Sequence, residues 1–155
     1  MIRQRLIRQF EVEDLGPTRE LFLEYAAWVG DEICFQKFQR ELAELPGGYA
    51  PPEGRLLLAF VEEQLAGCAA LRRFAAEIGE MKRLYVRPAF RGMGVGRKLA
   101  GRLVAEARAA RYNVLRLDSL PRMERAIAMY RGLGFYEIPR YSDNPEGSVC
   151  FEVRL

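Results

Sequence analysis

Between Leu84 and Leu99 the chain reads Leu-Tyr-Val-Arg-Pro-Ala-Phe-Arg-Gly-Met-Gly-Val-Gly-Arg-Lys-Leu. This is the pattern of a strand, a short proline-bearing loop, three alternate glycines and a helix. Glycines at a helix entrance let backbone N–H groups approach a ligand without a Cβ in the way. The same helix end carries unpaired donors and partial positive charge. Arg91, Arg97 and Lys98 add full charges beside it. The segment is built to hold an anion, and a pyrophosphate fits it best.

The two commonest phosphate patterns fail here. A Walker loop needs G-x-x-x-x-G-K-[ST], but the fifth residue after Gly92 is Arg97, and no Ser or Thr follows Lys98. A dinucleotide fingerprint counted from Gly92 and Gly94 also meets Arg97 at its third glycine. What fits is R-x-x-G-x-G, made by Arg91, Gly94 and Gly96 after a Leu-Tyr-Val-Arg-Pro strand. Downstream, Met123 to Phe135 supplies A-x-x-x-Y-x-x-x-G-F through Ala126, Tyr130, Gly134 and Phe135. In order and spacing the two blocks resemble the GNAT superfamily of acetyl-CoA-dependent N-acetyltransferases. The likeness runs over nearly the whole chain, although the first third matches only in the order of its elements.

Composition narrows the alternatives. A chain of 155 residues suits one domain with a real core, so residues 1–155 are expected to form a single N-acetyltransferase domain. No run approaches the ~18 apolar residues of a membrane span. No apolar signal core follows Met1-Ile2-Arg3, so a cytoplasmic protein without membrane partners is expected. The three cysteines, Cys34, Cys68 and Cys150, stand at no metal or redox spacing and read as buried free thiols. With no histidine, Ser–His and Cys–His nucleophiles and His-type zinc sites are excluded. No metal is expected, and any base must be a carboxylate, an amine, a tyrosine or water. From Lys82 to Arg111 nine Lys or Arg face one acidic residue, Glu106. A nucleic acid would explain that stretch, but an acyl-CoA explains it and the glycines together, and the aromatic-plus-basic strand of common RNA readers is missing.

Periodicity predicts a strand over 3–9 and a helix from Leu15, with Pro17 just inside it. A second helix is predicted over about 35–45, ended by Pro46-Gly47-Gly48. Residues 55–61 and 65–74 read as a hairpin around Glu62-Glu63-Gln64. A central strand follows over 79–86, then a helix to about Ala110 that buries Val95, Leu99, Leu103, Val104 and Ala107. Residues 114–117 make a strand, 123–131 a helix, and 135–141 with 149–153 a last hairpin. The fold class is α+β, or mixed α/β. The resemblance specifies a central, mostly antiparallel mixed sheet whose fourth and fifth strands splay apart, with helices on both faces.

The resemblance also implies roles. Backbone groups of Leu84, Tyr85 and Val86 would meet the acetyl and pantetheine part of acetyl-CoA. N–H groups from Arg91 through Gly92, Met93, Gly94, Val95, Gly96 and Arg97 would meet the pyrophosphate. Tyr130 matches the tyrosine that protonates the departing thiolate; a phenol (pKa about 10) lies not far above a thiol (about 8.5). Glu80 stands where some relatives carry a base that acts directly or through water. Many relatives have Asn at the position of Met123, a contact that here is lost or supplied by Ser119. Trp28, Phe35, Tyr49 and Tyr141 are candidate walls of the acceptor pocket, to be formed by the first two helices, the Pro/Gly loop and the last hairpin. The acceptor is an amine of unspecified kind, and monomer and homodimer stay open. The alternative is a non-catalytic acyl-CoA-binding or sensing domain.

Overall fold

A computed structural model describes residues 5–30 and 35–155; Cys34 and the side chain of Phe35 lie outside the described residues. Seven strands form one sheet in the order β1-β2-β3-β4-β5-β7-β6. Their ranges are β1 Arg5–Gln9, β2 Arg55–Val61, β3 Gln64–Ala75, β4 Ile78–Val86, β5 Val114–Ser119, β6 Tyr136–Ile138 and β7 Val149–Arg154. Every neighbouring pair is antiparallel except β4 and β5. A parallel pair needs a crossover, and α3 (Val95–Ala109) supplies it.

The sheet is buried on both faces. On one side lie α1 (Leu15–Val29) and α2 (Phe35–Glu44), on the other α3 and α4 (Glu124–Gly132). The run Leu56-Leu57-Leu58-Ala59 in β2 serves both cores, because successive side chains of a strand point to opposite faces. Leu56 and Leu58 pack with Leu21, Phe22 and Phe38, while Leu57 and Ala59 pack with Leu99 and Leu103. The stripe predicted on α3, Val95, Leu99, Leu103, Val104 and Ala107, is buried as a unit. Truncating one such leucine costs about 2–5 kcal/mol.

The β2–β3 turn is tighter than the three-residue loop read from the sequence. Val61 pairs with Gln64, and Glu62 and Glu63 take φ of 50° and 69°, the left-handed pair that matches the twist of a two-residue hairpin. The last hairpin is shorter than predicted. β6 ends at Ile138, because Pro139 has no N–H to continue the ladder. The chain from Pro139 to Ser148 then folds back toward β4 and β5 rather than along β7.

The sheet's functional irregularity lies at its centre. β4 and β5 pair only at Ile78–Val114, Gly79–Leu115 and Glu80–Arg116. Beyond Glu80 both strands continue, β4 to Val86 and β5 to Ser119, without pairing to each other. Close to the point of separation β4 also bulges against β3. Cys68 pairs with Tyr85 but Ala70 pairs with Lys82, so Arg83 and Leu84 together oppose Ala69. Arg83 takes φ of 59°, a left-handed conformation rare for a non-glycine residue, and its carbonyl accepts from the Cys68 thiol at 3.3 Å.

Candidate active site

The parted strands open a cavity of about 950 Å³. Three walls are local in sequence. The first is β4 from Met81 to Val86, the second the glycine loop and head of α3, and the third the α4 segment from Met123 to Tyr130. The end of β5 and the aromatic residues Tyr25 and Trp28 of α1 close the rest.

The glycine loop has the geometry of an anion cradle. Gly92 and Gly94 take φ of 79° and 80°, and a Cβ on Gly92 would meet nothing within 4 Å. Their requirement for glycine is therefore torsional rather than steric. Gly94 caps α3, and the first helical acceptance at that end is Lys98 N–H to Gly94 carbonyl at 3.1 Å. The N–H groups of Val95, Gly96 and Arg97 thus precede the first intrahelical bond and point out of the helix. Gly92, Gly94, Val95, Gly96, Arg97 and Arg91 all line the cavity, while Met93 is packed against the α3 core. Arg91 is held in place: its Nε donates to the Val86 carbonyl at 3.0 Å, and its guanidinium lies 5.1 Å from the Trp28 ring centre and 5.7 Å from that of Tyr85. Unsatisfied donors, a helix terminus and the oriented Arg91 suit a pyrophosphate.

Leu84, Tyr85 and Val86 line the same cavity on the strand that has lost its neighbour, so main-chain groups of β4 on that edge have no β5 partner. Tyr85 is fixed by its hydroxyl, 3.5 Å from Glu24 Oε1, and by ring contacts with Tyr25 and Trp28. Burial, with the Glu24 charge next, pushes its phenol above the usual range.

Tyr130 projects from α4 into this cavity, its ring braced by Phe135 at 5.8 Å and Phe151 at 6.4 Å. It is 6% exposed. Burial, followed by Tyr25 and the charge of Asp118, raises its pKa well above that of a free phenol, so the hydroxyl is protonated at neutral pH. That is the state required of a proton donor.

Glu80 sits elsewhere. It is the last residue of β4 paired with β5, is 2% exposed, and is absent from the linings described here. Arg72 donates to its Oε1 at 2.8–2.9 Å, and the Tyr141 hydroxyl donates to Oε2. Losing one partner of such a buried charge costs about 3–5 kcal/mol, which accounts for both oxygens being engaged.

A second cavity of about 270 Å³ adjoins the first. It runs from Tyr25 and Val29 of α1 across Glu41 of α2 to Asp118 and Ser119 of β5 and on to Pro145 and Ser148. Of the walls predicted for an acceptor pocket, Trp28 lines the larger cavity. Tyr49 is instead 4% exposed and belongs to the α1–α2 core, where it meets Phe22 edge-on. Tyr141 reaches Glu80 and packs on Phe74. The Pro/Gly loop lines neither cavity, whereas the β6–β7 loop lines the second. Sequence reasoning missed Lys82, Arg83 and Asp118. Asp118 accepts from Asn144 Nδ2 at 2.6 Å, and Arg83 clamps Glu41 with bonds of 2.9 and 3.0 Å. Ser119 and Met123 line both cavities, so the position where relatives carry Asn does face the cleft. Among the described residues no cluster of His, Cys, Asp and Glu has the arrangement of a metal site, and no helix is long and apolar enough to cross a membrane.

Comparison with known proteins agrees with this geometry. The family model described as "Acetyltransferase (GNAT) family" matches residues 15–135. An uncharacterized N-acetyltransferase of Schizosaccharomyces pombe is 34% identical over 141 residues, covering 90% of this chain and 86% of the relative. PaiA N-acetyltransferase from Thermoplasma acidophilum, solved in complex with coenzyme A, superposes with a TM-score of 0.77 at 21% identity, covering 98% of this chain and 99% of that one. YncA from Salmonella typhimurium, solved with its cofactor acetyl-CoA, gives 0.72 at 21% identity, covering 97% of this chain and 93% of that one.

Proposed function

This chain belongs to the GNAT family of acetyltransferases, and from that premise we propose that it moves an acetyl group from acetyl-CoA to a primary amine of a small molecule or protein, by direct attack in a ternary complex. One observation carries the reading. The anion cradle at the head of α3 and the protonated hydroxyl of Tyr130 open into one cavity, between strands parted where a pantetheine arm would enter.

In this reading the pyrophosphate rests on the N–H groups from Arg91 to Arg97. The thioester lies along Leu84, Tyr85 and Val86 of β4, where a backbone donor on the edge parted from β5 stabilises the oxyanion. The neutral amine attacks the thioester carbonyl carbon, and the new C–N bond forms as the C–S bond breaks. The Tyr130 hydroxyl gives its proton to the departing sulfur. The nitrogen sheds its extra proton toward Glu80. Because Arg72 and Tyr141 hold both Glu80 oxygens, that proton travels through water rather than by direct contact. Solvent then returns a proton to Tyr130 and takes one from Glu80.

The test is release of free CoA with a broad panel of amines, with acetyl-CoA binding measured in parallel. The expected result is binding together with turnover of at least one amine. Binding without turnover of any amine would replace the enzyme with an acyl-CoA sensor.

A further inference from the structure

The second cavity leaves two charges unmatched. Arg83 pairs with Glu41 at 2.9 Å, Lys37 with Asp143 at 3.3 Å, and Arg72 with Glu80 at 2.8 Å. Of the ionised groups on the lining, Lys82 and Asp118 remain. The Lys82 ammonium makes no hydrogen bond or ion pair among the described residues, and the one hydrogen bond to the Asp118 carboxylate comes from the neutral Asn144 amide.

Both stand on the strands that separate. Glu80 and Arg116 are the last pair of the parallel ladder, and Lys82 and Asp118 each lie two residues beyond. Continued pairing would set them side by side on one face of the sheet. The splay holds this cation and this anion apart, and both line the cavity between them. On the same lining the Ser148 hydroxyl is buried without a hydrogen-bond partner, its neighbour being the Cys150 thiol.

We propose that the acceptor is a small zwitterion with a primary amine and a carboxylate a few atoms apart, of the α-amino acid class. Its ammonium is held by Asp118 and gives one proton to water before the neutral nitrogen attacks, its carboxylate is held by Lys82, and the Ser148 hydroxyl is free to bond the polar end. This rests on the acetyltransferase reading above. The orientation follows from charge, and Asp118 lines the larger cavity together with Tyr130. The amine held by Asp118 thus shares the cavity of the Tyr130 hydroxyl and is the nucleophile. The reverse orientation would set carboxylate against carboxylate. The second cationic end of a polyamine would face Lys82. The volume, about 270 Å³, falls below the range of sites for drug-sized ligands and suits a molecule of amino-acid size.

The experiment compares CoA release for the L-amino acids, each beside its amide and its decarboxylated amine, with spermidine as a polycationic control. The wild type is expected to prefer the best amino acid over its amide by about 30-fold in kcat/KM, mostly through KM. Lys82→Met should bring that ratio to within about threefold by raising KM for the acid, and Lys82→Arg should restore most of it. A native melting transition checks that each variant folds. An amide, amine or spermidine used as well as the acid would overturn the proposal, as would an acid-to-amide ratio untouched by Lys82→Met. Either result leaves acetyl transfer standing. Absence of turnover with every amine, despite acetyl-CoA binding, would remove the acetyltransferase reading and this inference with it.

Discussion

In the proposed reading, the donor half of the cleft is built mainly from one continuous stretch, residues 84–97, presenting main-chain groups. The proposed acceptor half is assembled from side chains on α1, α2, β3, β4, β5 and the β6–β7 loop. Main-chain recognition needs only the right torsions at the right place, so it is carried by glycines at fixed spacing and tolerates varied neighbours. Side-chain recognition needs several distant segments to converge, so any one residue can change without leaving a local trace.

Tyr130→Phe tests the donor half most severely. The ring contacts to Phe135 and Phe151 survive the substitution, so acetyl-CoA affinity should hold. Loss of a positioned acid should lower kcat by about 100-fold or more. Unchanged turnover in a chemistry-limited assay would remove Tyr130 from the reaction. The raised pKa adds a pH signature. A buried phenol favoured in its neutral form contributes stability fully below the unfolded value of about 10, and loses it as pH rises through the higher folded value. Tyr130→Phe should therefore lose less melting temperature than the wild type on going from about pH 9 to 11. Any alkaline decline in kcat below about pH 10 must come from another group.

Glu80→Gln tests the point where β4 and β5 part. The amide can still accept from Tyr141, while its interaction with Arg72 loses the charge. The rate should fall by about tenfold, most at low pH, where neutral amine is scarcest. An unchanged pH–rate profile would confine Glu80 to holding Arg72 and Tyr141 in place.

How far the sequence was legible follows the same division. Arg91, Gly94, Gly96 and the α3 stripe could be read because their spacing is local and periodic. The strand after Glu124–Gly132 and its return hairpin were visible for the same reason, although Pro139 cut the hairpin short. Lys82, Arg83 and Asp118 could not be found that way. Alternation along β4 breaks at the Arg83 bulge, where nothing in the local residue pattern signals a left-handed arginine. Asp118 gains its place only because β5 parts from β4 two residues earlier. Tyr49 shows the converse error: an aromatic in a Pro/Gly loop looks available, yet the loop folds it under α1 and α2.

The smallest effects separate a glycine that shapes the donor site from one that merely stands near it. Gly94 is left-handed at φ 80°, and a Cβ there would come no closer than 3.9 Å to Arg5 Nη1, so Gly94→Ala is opposed by torsion and not by crowding. A left-handed alanine costs about 1–2 kcal/mol, and relief of that strain would move the N–H groups of the cradle. Acetyl-CoA should bind about tenfold more weakly, the equivalent of 1.4 kcal/mol. Gly101 lies within α3 with nothing within 4 Å of an added Cβ. Gly101→Ala should stabilise the helix by about 0.5–1 kcal/mol and raise Tm by about 1–4 °C, with acetyl-CoA affinity intact. Should both variants bind acetyl-CoA equally well, the cradle owes nothing to the conformation of Gly94. The donor half would then depend on its arginines instead, and the contrast with the acceptor half would shrink to one of charge.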